Sequence, residues 1–274
     1  MADSKYIKNI PHSVSNEQKL YIRKLKFYKY TITAFRILIF IVFILLWELL
    51  TRKNIINAFI FSSPSRIINT FISMAKNGKI LIHISATVYE TFLSFFIIIV
   101  AGVGTAVILW LSKGLSDCLE PYLVVLNSLP KSALAPMLIV WLGNNMKAII
   151  VTAISVAIFG TILNIYTGFL ETDKEKITLI KTLGGNRFDM LFKLVLPASR
   201  KIIISNMKVN IGLCLVGVII GEFLAANKGL GYLIIYGSQV FKMDWVAMSI
   251  AILCIISTIL FKIIDLIQKI SCKI

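Results

Sequence analysis

Charged side chains are scarce where this chain is most apolar, so the few that interrupt its hydrophobic runs are the first candidates for chemistry. Lys131 stands near the middle of the run 122–142. An ionised side chain at mid-bilayer costs roughly 2.5–3.5 kcal/mol on insertion scales, so it needs a partner or a water-lined site. Pro130 and Pro136 flank it. They interrupt backbone hydrogen bonding, which a membrane helix tolerates where it lines protein or water. Two readings follow. In one, a broken helix borders a translocation pathway, with Asn127, Ser128, Pro130, Lys131 and Pro136 on its wall. In the other, Lys131 pairs structurally with a carboxylate such as Glu90 or Glu222. Glu222, close to the outer end of the fifth run, carries the same two readings, with the structural one favoured.

Other chemistries find no support in the residues. Cys118, Cys214, Cys254 and Cys272 lie far apart without a Cys-x-x-Cys, and the only histidines are His12 and His83. Neither a metal site nor a disulfide framework is expected. No Gly-x-x-x-x-Gly-Lys-Ser/Thr occurs, so no P-loop cradles nucleotide phosphates. No catalytic residue and no cofactor are expected. Any ATP used must be hydrolysed by another subunit.

The elements that position these groups are membrane helices. Hydrophobic residues make up 58% of the 274, charged residues 15%, and the mean hydropathy is +0.86. A soluble domain of this length does not tolerate that balance. Runs of ~20 apolar residues, enough to cross the hydrocarbon core, recur along the chain. Spans are expected at about 31–50, 84–111, 122–142, 148–170, 205–226 and 245–267, after a basic segment 1–30. Their length and continuity favour helices over a membrane barrel. The fold class is therefore all-α transmembrane, a polytopic bundle of six helices. The first span is expected to stay uncleaved, because its apolar stretch begins late and no small-residue cleavage site follows.

Charge sets the orientation. With the N-terminus inside, 20 of the 29 basic residues fall on the cytoplasmic side and eight outside, leaving Lys131 within the membrane. That obeys the positive-inside rule and places both termini in the cytoplasm. The outer segment 51–83 runs against it, since Arg52, Lys53, Arg66, Lys76 and Lys79 have no acidic partner within that segment. The net charge of +16 is explained by flanks meeting anionic lipid, so no nucleic-acid partner is expected. Gly217-x-x-x-Gly221, Gly102 and Gly104 let helices approach closely, within the chain or between two copies.

Between the fourth and fifth spans lies a polar, basic loop, 171–204. Gly184 and Gly185 give a sharp entry, and Pro197 ends a short amphipathic helix over 186–194. On it Phe188, Leu191, Phe192 and Leu194 can share a side, with Arg187, Asp189 and Lys193 elsewhere. Such a helix either docks on a partner or lies on lipid headgroups.

Gly184, Leu194 and Leu196-Pro197 stand in the register of the cytoplasmic coupling loop of bacterial ABC importer permeases, although Thr178-Leu179-Ile180 replace its Glu-Ala-Ala. Leu129-Pro130-Lys131-Ser132-Ala133-Leu134-Ala135-Pro136 with Trp141-Leu142-Gly143 resembles the third-span signature of the nitrate/sulfonate/taurine-type branch. Gly221-Glu222-Phe223 and Gly229-Leu230-Gly231-Tyr232-Leu233-Ile234 resemble that branch after its fifth span. The likeness covers roughly 60–267. It implies a type I ABC importer permease in a bacterial cell membrane, coupled through Thr182, Leu183, Gly184, Gly185, Arg187, Phe188, Leu191, Phe192, Leu196 and Pro197 to a cytoplasmic ATP-binding subunit. It also implies an external solute-binding protein and a second permease subunit, with a homodimer favoured. Sulfonates, taurine, nitrate and thiamine-precursor pyrimidines belong to similar systems. The alternatives are an ATP-independent secondary transporter or channel, which needs no coupling loop, and a membrane-embedded enzyme, which needs an acid or histidine cluster.

Overall fold

The computed structural model describes residues 16–271. The first half of the basic segment 1–30, including His12, and Cys272 at the other end lie outside the described residues. The chain forms helices α1 (Asn16–Arg52), α2 (Ala58–Phe61), α3 (Pro64–Lys76), α4 (Lys79–Leu111), α5 (Lys113–Ser128), α6 (Lys131–Leu142) and α7 (Met146–Leu170). After these come α8 (Lys174–Thr182), α9 (Arg187–Met190), a π turn (Leu191–Val195), α10 (Leu196–Ala198), α11 (Arg200–Ala225), α12 (Leu230–Gln239) and α13 (Met243–Ser271). There is no strand among the described residues.

Five helices among the described residues are long and apolar enough to cross a membrane, and a bent pair makes up to six. The single span expected over 122–142 is that pair: α5 and α6 meet at 97°. Leu129 is extended ahead of Pro130, because a residue before proline is pushed out of the helical region. The helices also outrun the expected spans, since α5 begins at Lys113, ahead of the span expected from 122.

Two compact units divide the chain at Ser65. In the first, α1 is 37 residues long and its apolar half is exposed all round, as a helix solvated by lipid can be. Glu48 organises its end. It pairs with Arg52 at 2.7 Å and accepts from the Ser65 amide at 3.1 Å and hydroxyl at 2.9 Å.

In the second unit, α7 packs along both α4 and α11, which also touch each other. Small residues set the distance. A Cβ on Gly217 would lie 2.6 Å from the Ala153 Cα, and one on Gly221 2.9 Å from the Ile149 Cα. The Gly217-x-x-x-Gly221 pair is therefore spent on packing within the chain. Gly102 faces Thr161, whereas Gly104 meets nothing within 4 Å. One side chain joins α6 to α7: Asn145 donates to the Leu142 carbonyl at 2.7 Å and accepts from the Ala148 amide at 3.2 Å. Such caps satisfy backbone groups orphaned at helix ends.

Arg66 pairs with Asp244 at 2.9 Å. With Arg52 on Glu48, two of the five basic residues of 51–83 have acidic partners. Both partners lie outside that segment, which itself holds no acidic residue.

Candidate coupling loop and intramembrane polar site

The loop after α7 builds itself from local caps. Asp173 accepts from the Glu175 amide at 3.0 Å and starts α8. Gly184 turns the chain at φ +80, a left-handed conformation that costs glycine little. Gly185 follows because a Cβ there would lie 2.9 Å from the Ile180 carbonyl oxygen. Asn186 and Asp189 then form a reciprocal capping box, each side chain accepting from the other's amide at 2.8 and 3.1 Å. Asp189 also pairs with Lys193 at 2.7 Å. That ammonium, with the Asn186 amide, holds its carboxyl below the usual aspartate range.

Pro197 explains the π turn. It has no amide hydrogen and its ring crowds the preceding turn. The ladder widens, and the Leu196 amide reaches back five residues to the Leu191 carbonyl.

Three anchors fix the loop to the spans. Leu191 and Val195 are 1% and 0% exposed and join Leu109, Ile162, Ile165 and Phe169 in a core under α4 and α7. Arg187 donates to the Leu111 carbonyl at 2.7 Å, covering an acceptor at the end of α4. Ser199 donates to the Gly168 carbonyl at 3.2 Å. The opposite side stays bare: Leu183, Phe188 and Phe192 are 77%, 60% and 63% exposed, and Leu179 is also open. Leu191 was expected on that offered face with Phe188 and Phe192. It lies on the inner one, because residues 188 and 192 follow one stripe of the helix and 191 and 195 the next. Leu194 and Leu196 are half-buried, and Thr182 and Pro197 exposed. Leu179 was missed, although it stands four residues before Leu183 on one helical face.

In the spans, Lys131 finds neither expected carboxylate. Its ammonium donates to the Asn127 carbonyl at 2.7 Å and the Asn127 side chain at 3.2 Å, capping α5 across the proline break. Asn127 in turn abuts Gly160 of α7. Ser128, Pro130 and Pro136 are exposed around it.

Glu222 stands apart from this group, fully buried. It accepts from the Thr87 hydroxyl at 2.6 Å and the Gly231 amide at 2.5 Å. The Leu230 amide donates to Thr87 at 2.8 Å and the Gly229 amide to His83 at 3.1 Å. Three consecutive orphan donors at the start of α12 are thus satisfied from α4 and α11. The glycines belong to this arrangement. Gly229 has φ +122, and a Cβ there would fall on the Glu222 carboxylate. One on Gly231 would come 2.8 Å from Glu222 Oε2.

A further polar set escaped the sequence reading. Thr161 donates to Asn210 at 3.0 Å, and Asn164 to Asn206 at 3.4 Å, between α7 and α11. Toward the loop, Asn164, Thr167, Glu171, Ser205 and Asn206 line an open cleft of about 400 Å³. Polar residues repeating three or four apart in two apolar spans were the available signal.

Helical spans around a broken helix, with one loop that keeps an apolar face exposed, define a polytopic membrane protein. Residues 98–272 match the family described as the binding-protein-dependent transport system inner membrane component. The chain belongs to that family and is the permease component of a binding-protein-dependent ABC importer system. Over 224 residues it is 27% identical to a probable ABC transporter permease protein of Haemophilus influenzae, covering 82% of this chain and 91% of that one. It is 24% identical to the formylaminopyrimidine transport permease ThiX of Halalkalibacterium halodurans, over 71% of this chain and 77% of that one. It is 21% identical to the taurine transport permease TauC of Escherichia coli, over 80% and 82%. The fold is that of an inward-facing methionine ABC transporter, MetNI, with a TM-score of 0.62 at 17% identity, covering 72% of this chain and 98% of that one.

Proposed function

We propose that this chain passes a small solute into a bacterial cytoplasm, driven by an ATP-binding subunit that docks on Leu179, Leu183, Phe188 and Phe192. The observation that carries this reading is the division of one short loop into a buried anchor, Leu191 and Val195, and a bare apolar face. Exposed aromatics on a helix pinned so firmly can transmit a push without bending, and ATP-driven motion of the partner then biases the spans between two states. An external binding protein delivers the solute, and a second copy of the chain completes the passage. Both termini and the loop face the cytoplasm, as the placement of basic residues supports.

The passage itself is assigned to the broken helix around Lys131 and to the cleft of Asn164, Thr167, Ser205 and Asn206. Polar groups in spans face protein or water rather than lipid. Lys131 favours an anion, such as a sulfonate or nitrate. Lys131→Met, which keeps the stem without the charge, should leave the complex assembled and cut anion uptake several-fold.

The loop is tested by a cysteine at Phe188. It should cross-link to the ATP-binding subunit in vesicles, and Phe188→Ser with Phe192→Ser should abolish uptake while the permease stays folded. Full uptake by that double variant, with no cross-link at Phe188, overturns the reading.

A further inference from the structure

Where α11 leaves the loop, its lysines meet the far end of α13. Lys208 pairs with one oxygen of Asp265, and Lys269 pairs with the other at 2.6 Å. The Lys208 ammonium also stands 5.5 Å from the centre of the Phe261 ring. Lys262 lies one helical turn before Asp265, and Lys201 two turns before Lys208 along one side of α11. Neither has an acidic partner among the described residues. Asp265 is the only acid in 190–221 and 245–274, so a single carboxylate answers four ammonium groups along this seam. Each ammonium carries three donors, and Asp265 engages only two of the four groups.

The sequence sets the depth of the cluster. The uncharged run of α11 begins at Val209, and that of α13 stops at Phe261. Lys208 and Lys262 therefore mark the level where hydrocarbon gives way to headgroups. Ile255, Ile259, Lys262, Leu266 and Lys269 recur at four and three residues, which is one stripe of α13. All five are exposed, so an open apolar track leads from the membrane interior up to two lysines. One turn along α11 from Lys208, Gly212 is exposed, and a Cβ there would meet nothing within 4 Å.

We propose that this seam binds one anionic diacyl phospholipid, its phosphate on Lys262, Lys269 and Lys208 and an acyl chain along Ile255 and Ile259. Charge and track select the occupant together. A zwitterionic lipid offers the same phosphate but brings its own cation, which the lysines repel and the twice-paired Asp265 has little capacity to hold. A water-soluble phosphate gains the charge and forgoes the track. Basic clusters between helices at headgroup level suit anionic lipid. Unlike the diffuse attraction of basic flanks, which follows net charge alone, this site takes one lipid per chain.

The test is native mass spectrometry of the full chain in detergent with dioleoylphosphatidylglycerol, dioleoylphosphatidylcholine or glycerol 3-phosphate added. One phosphatidylglycerol per chain should be retained, at least tenfold more tightly than phosphatidylcholine, with no retention of glycerol 3-phosphate at the same concentration. Lys262→Gln with Lys269→Gln should weaken that retention at least tenfold. Lys262→Gln alone, which breaks no ion pair, should weaken it at least threefold with an unchanged melting temperature. Lys76→Gln with Lys79→Gln removes the same charge at the other end of the bundle and should change it less than twofold. Equal retention of the two lipids, an equal loss in both double variants, or unchanged retention in Lys262→Gln overturns the site in favour of diffuse attraction. Glycerol 3-phosphate held as tightly as the lipid overturns the lipid as its occupant.

Discussion

The two ends of the bundle solve opposite problems with similar means. At the turn before α12, Glu222, Thr87 and His83 satisfy three amides from two other helices, and glycines let that backbone come close. His83, Tyr232, Tyr236 and Trp245 stack beside it, with centroids 6.0, 5.6 and 6.0 Å apart, where aromatic rings suit the membrane interface. The turn is closed upon itself. At the loop between α7 and α11, the caps are local, from Asp173, Asn186 and Asp189, and only one stripe is committed to the core. The turn is capped from distant helices, while the loop is capped by its own residues and leaves Leu183, Phe188 and Phe192 exposed, the face proposed above for the partner.

The largest effects should come from substitutions that destroy this division. Leu191→Ala should cost about 2–5 kcal/mol, as for a large-to-small change in a packed core, and Leu191→Asp should prevent folding. Phe188→Ala and Phe192→Ala should each shift stability by no more than about 0.5 kcal/mol, as for exposed positions, although they remove the proposed dock. Thermal unfolding in detergent reads both. Comparable losses at Leu191 and Phe192 would mean that the loop has no inner and outer face.

Next come the contacts at the start of α12. Glu222→Leu strips the Gly231 amide of its acceptor, worth about 1–3 kcal/mol when buried, and leaves the Thr87 hydroxyl only the His83 carbonyl at 3.3 Å. Amide exchange should then quicken at the start of α12 while residues 187–195 keep their protection. Acceleration at both ends together would show that the turn before α12 is no independent lock.

How far a sequence discloses these two regions depends on the range of the interactions. The spans, the break at Pro130 and the sharp turn at Gly184 depend on neighbouring residues, so they were legible, whereas the helix expected to end at Pro197 widens into a π turn and runs through it to Ala198. The face of Leu191 was not legible. Two adjacent apolar stripes share the same spacing rule, and only the core beneath the loop decides which is buried. The ladder from Glu222 through Thr87 joins residues 135 apart, and nothing local to either marks the pair. The glycines at 229 and 231 were visible as a motif, but their reason, the carboxylate against their backbone, appears only in three dimensions. Lys131 shows the same limit in reverse. Distant carboxylates were considered while its partner, Asn127, stood one helical turn away.

The smallest expected effect concerns acid and the local caps. Asp189 accepts from the Asn186 amide and pairs with Lys193, and both interactions favour the carboxylate, lowering its pKa in the folded loop. A group lowered on folding contributes its full stabilisation above its unfolded value, about 3.9 for aspartate. The contribution fades as pH falls through the folded value, because protonation removes both interactions. Protection of the amides at 187–190 should therefore hold from neutral pH down to about the unfolded value and decline only below it. Asp189→Asn keeps an acceptor for the Asn186 amide without the charge, so its protection should start slightly lower and stay flat across that acidic window. The turn before α12, with no exposed acid among its caps, serves as the internal reference. An identical acid decline in Asp189→Asn would move the sensitivity to another carboxylate, Asp173 at the head of α8 first, and the capping box would then hold the loop through geometry alone.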